Sequence, residues 1–145
     1  MQEEKNTKMV IVVRKFPSLR TGKYCSQVAH ASMAFLTQKM NLQKTMGYGI
    51  HHHETRYLSQ AYDEKQAIEI TSWLTSSFRK ICVYVNSEEE LEAVHQKALD
   101  SGLISHMIVD NGATEFNGVK TKTCCAIGPA SDHKFKNVTD HLPLL

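Results

Sequence analysis

The stretch Met9-Val10-Ile11-Val12-Val13 decides the fold of this chain. Five consecutive apolar residues, four of them β-branched, are typical of a strand that is covered on both faces, as in parallel sheets. The run is far shorter than the roughly 20 residues that a membrane-spanning helix needs. Three similar runs follow along the chain, and the sequence therefore predicts four strands: Met9 to Val13, Ile81 to Val85, Ile104 to Asp110, and Thr123 to Gly128.

Two helices are predicted between the first and second strands. Apolar residues recur at spacings of four, three and four, which indicates an amphipathic helix that begins near Thr21 or Gly22; they are Tyr24, Val28, Ala31 and Phe35. A second helix is predicted from about Asp63 to Phe78. Its apolar stripe consists of Ala67, Ile70, Trp73 or Leu74, and Phe78. Trp73 is most simply a core residue.

The third predicted helix carries signals at both ends. Ser87 and Glu90 have the spacing of a capping box, and Gly102 is suited to close the C-terminus. Leu91, Val94 and Ala98 line one face between them. A fourth, short helix is predicted after Pro129, where the apolar residues are Phe135, Val138 and Leu142.

The element order is therefore β-α-α-β-α-β-β-α, which predicts an α/β fold with a mixed four-stranded sheet sandwiched between helices. The length of 145 residues fits a single domain over residues 1–145. In such folds ligands gather at the C-terminal ends of the strands. The stretch from Thr45 to Gln60 is predicted to be a mobile loop, since it contains two glycines and three consecutive histidines.

The composition limits the classes of function. Hydrophobic residues make up 41% and charged residues 22% of the chain, as in ordinary globular proteins. The formal net charge of +2 is only mildly basic, so any contact with RNA is expected from a local patch. Residues 1–8 are polar and lack the apolar stretch of a secretory signal. We therefore expect a cytoplasmic protein without a membrane segment.

The cysteines and histidines do not predict a metal site. The four cysteines, Cys25, Cys82, Cys124 and Cys125, form no C-x-x-C pair. The adjacent histidines His51, His52 and His53 cannot share one helical face, and no H-E-x-x-H motif accompanies them. We expect no bound metal and no disulfide framework.

Three polar residues on the first predicted helix are candidates for a binding site. Lys23, Gln27 and His30 follow one another at i, i+4 and i+7, so their side chains share one face. A lysine in the first helical turn is unfavourable unless an anion lies close by. Together with Arg14, Lys15 and Arg20 it could position phosphates. The alternative is a solvated helix face.

Asp110 is the candidate for acid–base chemistry, because it ends the third predicted strand and opens the sequence Asp-Asn-Gly. Thr114, Thr121 and Thr123 follow it, and a carboxylate with hydroxyl groups can order a water molecule. The alternative is a turn in which the carboxylate accepts hydrogen bonds from nearby backbone N–H groups.

These blocks together resemble one known family, the type II peptidyl-tRNA hydrolases. The resemblance covers residues 8 to about 38 and 80 to 145, in the family's order. The matching segments are Lys8 to Arg14, Gly22-Lys23, Gln27-Val28-Ala29-His30-Ala31, Asp110-Asn111-Gly112 with Thr114-Glu115, Thr123, Ala126-Ile127-Gly128-Pro129, Val138-Thr139 and His141-Leu142.

The resemblance implies a cytoplasmic enzyme, often a homodimer, that hydrolyses the ester between peptide and tRNA in peptidyl-tRNA. No organic cofactor is implied. The active positions carried over are Lys23, Asp110, Thr114 and Thr123. Substrate-binding neighbours are Arg20, Gln27, His30 and Thr121.

Three departures separate this chain from the usual family pattern. Arg20 stands where the family commonly has a lysine, and the segment from Glu115 to Lys122 looks one residue longer, which makes Thr121 a rival of Thr123. The region from Thr37 to Arg79 also looks enlarged, as expected for a divergent bacterial or viral branch. Two other functions stay open: a tRNA-binding or dimerising module without turnover, and a deacylase of misacylated aminoacyl-tRNA.

Overall fold

The computed structural model describes residues 6–45 and 60–145, and of residues 40–45 it describes the backbone alone. Four strands, β1 (Thr7–Arg14), β2 (Lys80–Val85), β3 (Ser105–Asp110) and β4 (Thr121–Ser131), form one sheet in the order β2-β1-β4-β3. β1 is parallel to β2 and antiparallel to β4, which in turn is antiparallel to β3. The predicted mixed sheet is confirmed. Of the predicted mobile loop from Thr45 to Gln60, residues 46–59 with the three histidines lie outside the described residues, whereas the end residues Thr45 and Gln60 are helical.

β1 lies in the interior of the sheet and is buried on both faces, as its continuous apolar run predicts. Met9, Ile11 and Val13 belong to a core cluster on one face of the sheet, and Val10 and Val12 belong to a second cluster on the other. The five side chains are at most 2% exposed. Two separate hydrophobic layers therefore hold the sheet between its helices.

In the described part of the chain, the sheet is covered by the α-helices α1 (Thr21–Thr45), α2 (Glu64–Thr75) and α3 (Glu88–Asp100). α1 and α2 pack on the first face through Ala31, Phe35, Ile70 and Trp73, whereas α3 packs on the opposite face. The predicted start of α1 and the core position of Trp73 are confirmed. Within residues 6–45 and 60–145, no helix combines the length and apolar character that crossing a bilayer requires.

The second helix is shorter than predicted. A capping box between Asp63 and Gln66 starts α2, and the helix ends at Thr75. Phe78, expected in its apolar stripe, lies beyond the end with a φ of 48° and is 54% exposed. Its backbone N–H donates to the carbonyl of Trp73 across the helix end. The consecutive residues Ser76 and Ser77 follow the last turn, where the chain leaves the helix.

The ends of α3 largely follow the prediction. The Ser87 hydroxyl accepts a hydrogen bond from the N–H of Glu90. The Glu90 carboxylate, however, accepts the N–H of Asn86 rather than that of Ser87, so the capping box is only half formed. At the other end Gly102 has a φ of 78°, which lets the N–H of Leu103 reach the carbonyl of Ala98.

The predicted short helix after Pro129 is present, but it is not an α-helix. The chain forms a 3₁₀ helix of four residues, Asp132–Phe135, followed by turns. Asn137 interrupts helical geometry because its φ is 63°, and its N–H donates to the Asp140 carboxylate instead. Phe135 and Val138 are nevertheless buried, at 1% and 2% exposure.

The last residues pair along β2. The N–H of Leu145 donates to Cys82, and the N–H of Tyr84 donates to Pro143. The side chains of Leu144 and Leu145 are 71% and 49% exposed, so these residues contact the sheet mainly through their backbone. Their backbone covers the outer edge of β2, and β3 forms the opposite edge of the sheet.

One buried histidine gives the fold a predicted pH dependence. His106 in β3 is 8% exposed, and its Nδ1 has no hydrogen-bond partner among the residues that the structure describes. Burial, with the charges of Lys39 and His95, lowers the pKa of His106 to about 4. In the unfolded chain a histidine titrates near 6.5, so between these values the unfolded chain binds more protons. The folded state therefore loses stability as the pH falls from about 6.5 towards 4.

We predict that the free energy of unfolding falls by about 1 to 2 kcal/mol through this group between pH 7 and pH 5. Urea denaturation at both pH values measures the fall, and the variant His106→Gln should remove that part of it. His133→Gln, at an exposed position, is the matched control and should leave the fall unchanged. An equal pH dependence in wild type and His106→Gln would contradict the assignment.

Candidate active site

The candidate site lies where β1 and β3 end, beside the first turns of α1 and the start of β4. Four of the predicted residues come from separate elements: Lys23 from α1, Asp110 from the end of β3, Thr114 from the β3–β4 loop, and Thr123 from β4. Hydrogen bonds connect them directly or through Gln27 of α1. The position at strand ends agrees with the location expected for a site in an α/β fold.

The carboxylate of Asp110 is the centre of this network. Its Oδ1 accepts hydrogen bonds from the Lys23 ammonium at 2.9 Å and from the Gln27 amide at 3.1 Å. Its Oδ2 accepts the backbone N–H of Gly112 at 2.8 Å. The last bond is the turn contact that the alternative interpretation predicted, and the first two join the same side chain to the site. Asp110 therefore makes the turn contact and also belongs to the hydrogen-bond network of the site.

The surroundings of Asp110 keep it ionised. The hydrogen bond from Lys23 lowers the pKa of this carboxyl most strongly, burial opposes the shift, and the Gly112 N–H, the charge of Lys23 and the Gln27 amide lower the pKa further. The net direction is downward. A carboxylate with a lowered pKa is a weak proton acceptor at neutral pH, but it remains a strong hydrogen-bond acceptor and counter-charge.

Lys23 is more enclosed than a solvated lysine would be. Its side chain is 12% exposed, compared with 11% for Asp110, so the pair is largely shielded from solvent. The ammonium donates to Asp110 and, at 2.9 Å, to the hydroxyl of Thr114. The anion that the sequence predicts beside the first turn of α1 is thus supplied by the chain itself. An ammonium has three N–H donors, and these two bonds leave one for a ligand.

Gln27 connects the centre of the network to β4. It is 2% exposed, and its Oε1 accepts the hydroxyl proton of Thr123 at 2.6 Å. The Sγ of Cys124 donates to the backbone carbonyl of Gln27 at 3.3 Å. The Gln27 Oε1 accepts from Thr123, and the Gln27 Nε2 consequently faces Asp110. A rotation of the amide that exchanged Oε1 and Nε2 would break both hydrogen bonds.

A bulge in β4 brings Thr123 to this face of the sheet. Ile108 pairs with Cys124, but the next residue, Val109, pairs with Lys122, so Thr123 has no partner on β3. Two consecutive side chains, Thr123 and Cys124, consequently contact α1, whereas simple alternation would direct them to opposite faces. The ion pair of Lys122 with Glu92 of α3 confirms that the alternation resumes beyond the bulge.

Thr121 and His30 lie outside the hydrogen-bond network. Thr121 is the partner of Asp110 in the β3–β4 ladder, but its hydroxyl donates to the carbonyl of Val119. His30 is exposed, and among the described residues it has no hydrogen bond to the network. Of the two rival threonines, Thr123 is therefore the one that the fold connects to Asp110.

The β3–β4 loop is fixed against the start of α1. Arg20 donates to the Glu115 carboxylate and forms an ion pair with it. Gly112 has a φ of 81°, and a Cβ there would lie 2.3 Å from the carbonyl oxygen of Val119. Gly112 also accepts the N–H of Gly118, which closes the loop on itself. The loop can hold Thr114 against Lys23 because glycine allows this close backbone approach.

The basic residues upstream of Lys23 are engaged with neighbours. Arg14 pairs with Glu88 and donates to the carbonyl of Lys122, and Lys15 lies over the ring of Tyr84.

Two phenylalanines beside the network, Phe16 and Phe116, were not predicted, because residues in irregular loops carry no periodic signal. In the described parts of the chain, no three histidine, cysteine or acidic side chains are grouped as metal ligands.

Comparison with known sequences identifies the family. The family described as "Peptidyl-tRNA hydrolase PTH2" matches residues 7–145. The chain belongs to the PTH2 family. A protein of Methanocaldococcus jannaschii named peptidyl-tRNA hydrolase is 35% identical over 139 residues, which cover 95% of this chain and 99% of that protein.

Other relatives of this PTH2 chain carry the same name. The protein of Methanopyrus kandleri is 33% identical over 139 residues, covering 95% of this chain and 97% of its own length. The protein of Nanoarchaeum equitans is 31% identical over 137 residues, covering 94% and 97%. These relatives are archaeal, and the bacterial or viral source stays a prediction.

In this PTH2 chain, the buried Gln27 should contribute measurably to stability. Gln27→Leu removes the acceptor of the Thr123 hydroxyl and one of the two donors to Asp110 Oδ1, and we predict a loss of about 1 to 3 kcal/mol in the free energy of unfolding. Chemical denaturation at pH 7 measures it. Gln38→Leu on the same helix is the matched control, because the exposed Gln38 side chain makes a single bond among the described residues, to the carbonyl of Met107. Equal losses in the two variants would contradict a special role for Gln27.

Proposed function

We propose that this chain hydrolyses the ester bond that links the peptide to the terminal ribose of tRNA in peptidyl-tRNA, which returns the tRNA to translation. The observation that carries the proposal is the shielded Lys23–Asp110 pair, with Gln27 and Thr114 bonded to it, in a chain of the PTH2 family. The relatives named peptidyl-tRNA hydrolase match nearly the whole chain, which supports the same activity here.

Ester hydrolysis places three demands on a site. Water must be directed at the carbonyl carbon, the negative charge that develops on the carbonyl oxygen must be stabilised, and the ribose hydroxyl must leave. A carboxylate beside an ammonium, both largely withdrawn from solvent, can serve the first two demands with side chains alone. The proposal therefore includes no organic cofactor and no metal.

Asp110 is proposed to hold the attacking water. A carboxylate has about four lone-pair positions, and Lys23, Gln27 and Gly112 occupy three. The remaining position is on Oδ2 and can accept one water proton. Because the pKa of Asp110 is lowered, its carboxylate is a weak base. The proposed role of Asp110 is therefore to orient this water and to stabilise the positive charge beside the carboxylate, rather than to remove the water's proton completely.

Lys23 is proposed to stabilise the oxyanion or the terminal phosphate with its third N–H. The two bonds to Asp110 and Thr114 fix the direction of the ammonium before substrate arrives. Such preorganised donors stabilise charge in a transition state without a cost of reorientation at that moment.

The threonines are proposed to have different roles. Thr114 is exposed, and since its oxygen accepts from Lys23, its own O–H is free to donate to the ribose. Thr123 is 2% exposed and acts through Gln27, so it is a positioning residue. Arg20 is a candidate phosphate contact, because its side chain is 80% exposed although it pairs with Glu115. Thr121 and His30 are proposed only as neighbours of bound substrate.

The proposal places RNA binding in a local patch around this site, because the net charge of +2 is small. The cytoplasmic location and the homodimer that the resemblance implies are part of the same proposal. Neither is needed for the chemistry described above.

The test is a comparison of N-acetylated and free aminoacyl-tRNA as substrates of the purified protein. We predict rapid single-turnover hydrolysis of the N-acetylated form and little hydrolysis of the free form. Similar rates on both would favour the aminoacyl-tRNA deacylase. Binding of both without hydrolysis would favour a tRNA-binding module, and either result would contradict the proposal.

Asp110→Asn provides the control that assigns the activity to this site. The amide keeps the size of the side chain but loses the negative charge, and we predict a rate about 10²- to 10⁴-fold lower with tRNA affinity nearly unchanged. Filter binding and circular dichroism on the same preparation check affinity and folding. Near-normal hydrolysis by this variant would reduce Asp110 to its turn contact with Gly112.

A further inference from the structure

Two aromatic rings form a small apolar surface next to the charged network. Phe16 follows β1, Phe116 lies in the β3–β4 loop, and their ring centroids are 5.0 Å apart with an angle of 47° between the rings. Both residues are only half-buried, so part of the ring surface is open to solvent. The pair is not needed for either hydrophobic core, since neither ring belongs to the two core clusters.

Cations lie at both ends of this ring pair. The Arg14 guanidinium is 4.5 Å from the centroid of Phe16, and the Lys23 ammonium is 5.8 Å from the centroid of Phe116. The same ammonium donates to Asp110. Arg14, Phe16, Phe116, Lys23 and Asp110 therefore contact one another in this order. Only the Lys23 side chain lies between the rings and Asp110, where the reaction is proposed to take place.

Hydrogen bonds hold Phe16 in place. The hydroxyl of Tyr24, in the first turn of α1, accepts the backbone N–H of Phe16 at 2.7 Å and donates to its carbonyl at 3.1 Å. Both polar groups of this loop residue are thus tied to a helix. An apolar surface fixed before the ligand arrives loses less conformational entropy on binding.

We propose that Phe16 and Phe116 are the platform on which the nucleobase of the 3′-terminal adenosine of tRNA stacks. This inference rests on the proposed function, because the base is attached to the ribose that carries the ester. Aromatic rings and arginine guanidinium planes are the groups on which proteins stack unpaired bases. Beside the rings, the third N–H of Lys23 can donate to a phosphate oxygen of the RNA.

The peptide is a less suitable occupant of the platform. Its side chains differ in size and charge from one substrate to another, whereas the terminal adenosine is the same in every tRNA. A rigid surface of two rings suits the constant partner.

The test uses two synthetic acceptor-stem hairpins without an amino acid, one ending in CCA and one in which the terminal adenine is replaced by an abasic ribose. The phosphates and sugars are the same, so a difference in Kd reports the base alone. Fluorescence anisotropy should show that wild type binds the CCA hairpin about 5- to 100-fold more tightly. Phe116→Leu should lose this preference, and Phe116→Trp should keep it.

Phe78→Leu is the matched control, because Phe78 is also a half-exposed ring beside an aromatic residue, Trp73, and a cation, Lys80, but lies away from the site. It should keep the full preference for the CCA hairpin. Circular dichroism checks folding, and Phe16→Leu replaces Phe116→Leu if the latter does not fold. Equal binding of both hairpins by wild type, or a preference retained by the folded leucine variant, would overturn the platform.

A peptide-binding role gives another result that overturns the inference. It predicts no preference for the base, together with a rate loss in Phe116→Leu that depends on whether the substrate carries N-acetylglycine or N-acetylphenylalanine. The hairpin measurement needs no turnover. A protein that prefers the CCA hairpin but does not hydrolyse N-acetylaminoacyl-tRNA would therefore retain the platform and refute the proposed function.

Discussion

The ion pair between Lys23 and Asp110 is the interaction on which the arrangement of the site depends. It joins the first turns of α1 to the end of β3, and each partner is only about one-tenth exposed. An ion pair withdrawn from water is stable only when further hydrogen bonds compensate for lost solvation. Thr114 supplies such a bond to the ammonium, and Gln27 and Gly112 supply them to the carboxylate. Loss of either partner would leave an uncompensated charge.

This constraint explains features of α1, of β4 and of the loop directly after Asp110. Gln27 can serve the carboxylate only if its amide oxygen is occupied, and Thr123 occupies it from a bulge in β4. Gly112 can donate its N–H and still face the close backbone of Val119 because it lacks a side chain. The bulge in β4 and the β3–β4 loop therefore both help to keep the Asp110 carboxylate ionised beside Lys23.

The regular parts of this fold were predictable from local pattern. The run of β1 and the stripe of α1 describe elements whose burial is decided by periodicity, and the helix face carrying Lys23 and Gln27 follows from the same spacing. The bulge at Thr123, the orientation of the Gln27 amide and the pairing of Phe16 with Phe116 were not predictable, because each depends on contacts between distant segments. The C-terminal helix is shorter than its apolar pattern predicts, because the positive φ of Asn137 overrides the helical spacing of Phe135, Val138 and Leu142.

A double-mutant cycle between Lys23 and Asp110 tests most directly whether the two residues act as one unit. The single-turnover rates of Lys23→Met, Asp110→Asn and the double variant are compared with wild type on N-acetylaminoacyl-tRNA. If the pair acts as a unit, the double variant should be no more than about threefold slower than the slower single variant. A double variant whose rate loss equals the product of the two single losses would contradict the account, since it would mean that each residue acts independently.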